Sequence, residues 1–367
     1  MGSIGSKWPR TAIIEILEIL QMNEKIFKKK RKGLKIFLSI CGVLTALLLT
    51  LYLVATNNTQ SVIGMLQKLS YGDNPINSYE PFYEPINGKK DNGQYLISEI
   101  HYDREFPNGF LDITYPDENK DVDHPTLFYF HGGGFFAGSK NMGDPLAATE
   151  ATYLLDDICA AGYNIVNVDY ALVPDYRFPV PLIQANRAFA YIQEHADEYH
   201  LNMDNVVIMG SSAGAIMASQ LGSIITNPEY AELLGITPAL KPEQVKAVVI
   251  DDAPLDYKAF SLPTKMIIGN YVKGSIYLSE EEIRHYNNIQ SLTANYPAAV
   301  LLGSEYRHDM EVMHEELNQL GCEHLHIDPY IEHGLTKPHC FVSTERTDPI
   351  AKDAFDRMIS FLNEKTK

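Results

Sequence analysis

A chain of 367 residues can hold one large domain of roughly 250–300 residues plus an appendage. Its 45% apolar and 21% charged residues exclude a disordered polymer. The net charge of −17 is uneven: residues 1–35 hold nine Lys/Arg against three Glu, so the rest carries −23, which excludes the basic footprint of a nucleic-acid binder. The four cysteines, Cys41, Cys159, Cys322 and Cys340, have neither zinc-site nor disulfide-framework spacing.

The N-terminal segment combines a basic run, KKKRK at 28–32, with twenty uncharged residues from Ile36 to Ala55. As a helix, that length spans a hydrocarbon core of about 30 Å, and the basic flank should stay cytoplasmic. We therefore expect a basic cytoplasmic N-terminus over 1–35 and a transmembrane helix or signal anchor over 36–55, with the rest extracytoplasmic. The alternative is a signal peptide cleaved near Leu53-Val54-Ala55, leaving a secreted body. Residues 56–94, rich in Asn, Tyr and Pro, read as linker and irregular cover. The folded body is expected over 95–367.

In that body short apolar runs alternate with segments of helical spacing. The runs are Thr126–Phe130, Asn164–Asp169, Val206–Met209, Val245–Ile250, Ala298–Leu302 and His324–Ile327; helical segments include Pro181–Tyr199 and Ala213–Ile225. The pattern predicts an α/β fold, a mostly parallel sheet with helices on both faces. Ligands of such sheets bind at the carboxyl ends of the strands. The aromatic-rich stretch from Asp256 to Tyr296 is longer than a plain crossover and predicts a small lid.

Two glycine-rich turns carry the chemistry. HGGGFFAGS, residues 131–139, leaves the first apolar run, and GSSAG, residues 210–214, leaves the third and enters a helical segment. G-x-S-x-G in a strand–turn–helix setting holds a serine hydroxyl out on a strained turn. An H-G-G-G loop on an earlier strand supplies bare amides for an oxyanion. On this reading Ser212 is the nucleophile, Gly133, Gly134 and Ala213 the oxyanion donors, and His131 a structural hydrogen-bonding residue.

A base should follow later in the chain. His339, in TKPHCF, is favoured over His333 by its flanking Pro and aromatic residues. The acid is expected after AAVLLG, where Asp309 is preferred, Glu305 is its alternative, and Asp252, closing AVVIDD, is a third candidate. Asp309 equally suits the first turn of a helix over Met310–Leu320. Six of the twelve histidines fall within 308–339, but no H-E-x-x-H or comparable ligand spacing occurs there, so no metal is expected.

These segments, with DYALVPDYRFPVPL at 169–182, resemble the α/β-hydrolase superfamily, specifically its hormone-sensitive-lipase-like esterase/acetylesterase branch. The resemblance covers roughly residues 95–365. It implies a cofactor-free serine hydrolase that cleaves short-chain carboxylic esters through an acyl-enzyme. Alternatives are a peptidase or amidase of the same fold, or a catalytically inactive hydrolase-like binding protein. The chain departs from the family at the acid: the family's Asp-Pro-Leu frame falls on Tyr306-Arg307-His308.

Overall fold

The structure, a computed structural model, describes residues 10–72, 76–77, 84–140 and 151–367. It divides into two compact units, Met1–Ala55 and Thr56–Lys367. The described part of the first lies within a single helix, Arg10–Asn57. Its Leu17–Asn57 portion is long and apolar enough to cross a membrane. The helix thus begins well before the apolar stretch, and the basic run lies within it.

In the second unit nine strands form one sheet: β1 (Asn87–Lys89), β2 (Tyr95–His101), β3 (Phe110–Tyr115), β4 (Pro125–Phe130), β5 (Asn164–Val168), β6 (Asn202–Ser211), β7 (Val245–Asp251), β8 (Ala298–Leu302) and β9 (His324–Ile327). Their spatial order is β1-β2-β3-β5-β4-β6-β7-β8-β9. The first three strands pair antiparallel and join β5, and every pair from β5 to β9 is parallel. The apolar runs are continuous because both faces are covered. Phe128, Phe130, Val206, Ile208, Val248 and Ile250 enter one core, which includes the helices Val180–Glu194 and Ala213–Thr226. Leu127, Tyr129, Val207, Met209, Ala247 and Val249 enter the other, against Ala151–Ala160 and Pro349–Lys365.

Two expectations are corrected, and three strands are added to those expected. The antiparallel strands β1 to β3 escaped the reading of apolar runs because they are short and alternate; β3, Phe-Leu-Asp-Ile-Thr-Tyr, buries only every second residue. The segment 56–94 is not wholly irregular, since it contains a helix, Gln60–Tyr71, as well as β1. Its residues 73–75 and 78–83 lie outside the described residues. The helix expected over Pro181–Tyr199 is two helices, Val180–Glu194 and Ala196–Tyr199, with His195 between them.

Two helices, Leu262–Val272 and Glu280–Tyr286, fill the predicted lid region. Lid and cover meet the glycine loop directly. Phe135 stacks on Tyr271 with ring centroids 3.5 Å apart, and Gln67 Nε2 donates to the carbonyls of Phe136 (2.9 Å) and Val173 (2.8 Å). Tyr71 Oη accepts the Gly138 amide at 2.9 Å.

Candidate active site

Parallel register brings the ends of β4, β6 and β7 abreast: Phe130 lies opposite Gly210, and Ser211 opposite Asp251. Ser212 follows at φ 57°, ψ −117°, on the turn that opens the helix Ala213–Thr226. A non-glycine residue in that region stores on the order of 1–3 kcal/mol of strain. The Ser212 amide donates to the Asp251 carbonyl at 2.9 Å, which ties the turn to the neighbouring strand end. Phe135, Asp252 and Cys340 are also held at positive φ. Strained residues from four separate segments therefore gather at the carboxyl edge of the sheet.

Backbone contacts explain the glycines. A Cβ on Gly210 would lie 2.1 Å from the Gly214 oxygen, and one on Gly214 would lie 1.9 Å from the Phe130 oxygen. In the other turn, Gly132 lies so close to the Ser212 turn that a Cβ there would meet Ser212 Cβ at 3.3 Å. Gly133 and Gly134 have φ of +105° and +60°, and a Cβ on Gly133 would strike the Ala137 oxygen at 2.1 Å. Among the described residues the Gly133 and Gly134 amides meet no acceptor. The Ala213 amide opens a helix, where first-turn N–H groups have no intrahelical partner. Gly214→Ala is expected to destabilise the domain by about 3 kcal/mol or more, because backbone must move to admit the methyl. A denaturant midpoint matching that of the unsubstituted protein would contradict this.

His131 is a strut beneath this loop. Nearly fully buried, it places Nδ1 2.7 Å from the Gly132 oxygen and Nε2 3.2 Å from Asp169 Oδ1. Its ring stacks on Tyr170 at 4.1 Å, and Tyr170 Oη donates to the His131 carbonyl at 2.7 Å. The loop 169–182 thus braces the glycine turn, and the Val173 amide adds a 2.9 Å bond to the Phe135 oxygen.

The acid expectation is corrected. His339 Nδ1 lies 2.6 Å from Asp252 Oδ2, whereas Asp309 is turned elsewhere. Asp309 sits in the first turn of Arg307–Leu320, where its Oδ1 accepts the amides of Leu255 (2.7 Å) and Asp256 (2.6 Å). Burial pushes its carboxyl up to about 6, against those two amide bonds. Glu305 is partly exposed, with Oε2 3.7 Å from His339 Nδ1, beyond hydrogen-bond reach. His333 is exposed and beside Glu332.

Asp252 is strongly held. Its Oδ1 accepts the amides of Ser304 (2.9 Å) and Tyr306 (2.8 Å). Its Oδ2 accepts the Ser304 hydroxyl (2.5 Å), the Glu305 amide (3.0 Å) and the Cys340 amide (3.2 Å) besides His339. Burial works to raise this carboxyl, but the bonds and the charge of His339 outweigh it and hold Asp252 below the usual carboxylate range. For His339 burial works to lower the imidazole, and the Asp252 bond and charge prevail, raising it above the ordinary histidine value. The pair can therefore hold and release a proton at Nε2 while Nδ1 stays tied.

Behind the pair lies a group that no sequence motif marks. Fully buried Asp251 accepts the hydroxyls of Ser211 (2.7 Å) and Ser343 (2.8 Å), and Tyr129 Oη donates to Ser211 at 3.1 Å. Burial raises the Asp251 carboxyl. The doubled acid at the end of β7 was the only local sign of it. Asp252, His339 and Cys340 also place donor atoms within 4.8 Å of one another. The first two are paired with each other, and burial keeps the Cys340 thiol well above its usual range.

A model of the BD-FAE family matches residues 111–315. The acetyl esterases of Salmonella paratyphi B (strain ATCC BAA-1250 / SPB7) and Salmonella typhi are each 36% identical over 93 residues, 25% of this chain and 27% of theirs. The match thus spans about a quarter of the length of these curated relatives. Among solved structures, esterase B from Lactobacillus Rhamnosis (HN001) is 16% identical with a TM-score of 0.61, covering 84% of this chain and 93% of that one. A truncated carbohydrate esterase from gut microbiota is likewise 16% identical, with a TM-score of 0.58 and coverages of 76% and 99%. At such identities the structural likeness is one of fold.

Proposed function

The chain belongs to the BD-FAE family, an α/β-hydrolase-like group, and from that premise we propose that it is a serine hydrolase of short-chain carboxylic esters. One observation carries the reading. The 2.6 Å Asp252–His339 bond lies at the end of β7, immediately beside the strained turn that presents Ser212 at the end of β6.

In the proposed mechanism His339 Nε2 takes the Ser212 proton as the hydroxyl oxygen attacks the ester carbonyl. The carbonyl oxygen becomes an oxyanion and is held by the amides of Gly133, Gly134 and Ala213. Asp252 fixes the imidazole tautomer and stabilises its charged form. His339 returns the proton to the departing alcohol, leaving an acyl-Ser212 ester. Water, deprotonated by the same imidazole, then releases the acid and restores the hydroxyl. The acetyl esterases among the similar proteins support a small acyl group. The apolar helix supports a membrane-anchored enzyme whose basic flank is cytoplasmic and whose hydrolase unit is extracytoplasmic.

A fluorophosphonate probe on cells expressing the full chain tests these points together. The label should map to Ser212, remain with the membrane fraction after a carbonate wash, and disappear after competition with acetyl or butyryl esters but not decanoyl esters. An unlabelled Ser212 would refute the hydrolase reading, and label in the culture medium would refute the anchor.

A further inference from the structure

The helix Gln60–Tyr71 is amphipathic with its polarity reversed. Val62, Met65, Leu66 and Leu69 stand at i, i+3, i+4 and i+7 and so form one stripe. Gln60, Ile63, Gln67 and Tyr71 form the opposite face, and that face is the one turned to the protein. Ile63 and Gln67 are buried, and Gln60 Nε2 donates to Gln67 Oε1 at 3.3 Å. Gln67 and Tyr71 make the bonds to the glycine loop described above. The apolar stripe is left outside: Met65 and Leu66 are exposed, Leu69 is 77% exposed, and Val62 is partly covered. A helix on the surface of a water-soluble body carries its apolar stripe inward. An outward stripe of adjacent large side chains calls for an apolar partner.

The chain itself brings one such partner near. The uncharged run closes at Ala55, and Val62 follows it by seven positions, at most about 25 Å even when fully extended. Nor is the connection a loose tether. The Thr56 carbonyl accepts the Ile276 amide at 3.0 Å and the Ser275 hydroxyl at 3.3 Å. The Thr59 amide donates to the Gly274 carbonyl at 2.9 Å. Residues 56–59 are thereby held on the loop that follows the lid helix Leu262–Val272. Tyr277 in that loop is half exposed, and its hydroxyl donates to Thr56 Oγ1 at 3.3 Å. Tyrosine is a side chain that favours the boundary between membrane and water.

We propose that Met65, Leu66 and Leu69 enter the interfacial layer of the bilayer that holds the N-terminal helix, so that the helix Gln60–Tyr71 lies along that surface. This rests on the anchored reading of the chain given above. The apolar face of such a helix sinks about 5–10 Å into the boundary between headgroups and acyl chains. Lipid would then hold the helix on its outer face while its inner face braces the glycine loop at Phe136 and Gly138.

The test uses the full chain in phosphatidylcholine vesicles, with Cys41→Ala so that the remaining cysteines are the buried Cys159, Cys322 and Cys340. A polarity-sensitive fluorophore is attached at Leu69→Cys or, in a second chain, at Val122→Cys. Val122 is exposed and precedes β4, so it lies at the opposite edge of the sheet from the glycine loop. Lipid carrying a doxyl quencher near its headgroup should lower the emission at position 69 at least about twofold and leave that at 122 unchanged. Aqueous iodide should do the reverse. In the unsubstituted chain a carbene-generating phospholipid should leave adducts within residues 60–71, which serves if a variant fails to fold. A label at 69 reached by iodide and not by doxyl lipid, or adducts confined to the N-terminal helix, would overturn the proposal. So would a label shielded from both quenchers, the sign of a second copy seated on the stripe. A carbonate wash of the same vesicles separates the two readings. Protein that stays with the lipid while its label at 69 faces water keeps the anchor and loses this docking; protein released by the wash loses the anchor, and the proposal with it.

Discussion

Ser212→Ala should lower acetyl-ester turnover by about 10^6-fold, the scale on which removal of a hydroxyl nucleophile removes the acyl-enzyme route. Folding should survive, for three reasons. The Ser212 backbone already occupies φ 57°, so alanine meets the same strain that serine does. The turn is fixed by the Ser212 amide bond to Asp251, which the substitution keeps. The helix behind it is buried along its whole length, from Ala213 to Thr226. A small residual rate above that of water should remain from oxyanion stabilisation and substrate binding alone. The measurement is turnover of p-nitrophenyl acetate alongside a melting curve. A variant that melts normally and retains more than a hundredth of the activity would remove Ser212 from the reaction.

Replacing the acid gives the second large effect. Asp252→Asn should lower kcat by about 10^4-fold, because the amide can no longer accept from His339 Nδ1 without presenting its NH2 to the amides of Ser304 and Tyr306. The pH profile provides an independent readout. In the proposed mechanism catalysis needs a neutral His339, so activity should fall as pH drops through its pKa. The Asp252 bond and charge raise that pKa, so the acid limb of the unsubstituted protein should lie above the ordinary histidine value near 6.5. With Asp252 neutralised the largest raising influence is lost, leaving the smaller ones of Asp251 and Glu305 against burial, and the limb should move to lower pH. Asp309→Asn is the contrast. It weakens two amide bonds to the Leu255–Asp256 turn and should cost about 1–3 kcal/mol of stability, with turnover within about tenfold of native. If Asp309→Asn stops catalysis and Asp252→Asn does not, the acid is misassigned.

The contrast between these two carboxylates marks what could be read from the chain. Features set by local backbone geometry were legible. The Gly residues at 133, 134, 210 and 214 stand where a Cβ would strike backbone or strain φ, and the apolar runs at 126–130, 206–209 and 298–302 fall within β4, β6 and β8. The tertiary arrangement settled what depends on distance. Asp252 and His339 are 87 positions apart, with β8 and β9 between them in the chain. Nothing local to Asp309 or Asp252 says which carboxylate faces an imidazole, since each follows an apolar strand and each accepts backbone amides.

The same reason explains the helix Gln60–Tyr71. Its apolar stripe is periodic in sequence; only the packing of the opposite face on the glycine loop turns that stripe outward. A single sequence determines which backbone conformations are allowed and which faces must be buried, because both are short-range steric and solvation properties. Which distant side chains meet is decided by strand order and register, and these emerge only when the whole sheet has closed its two cores.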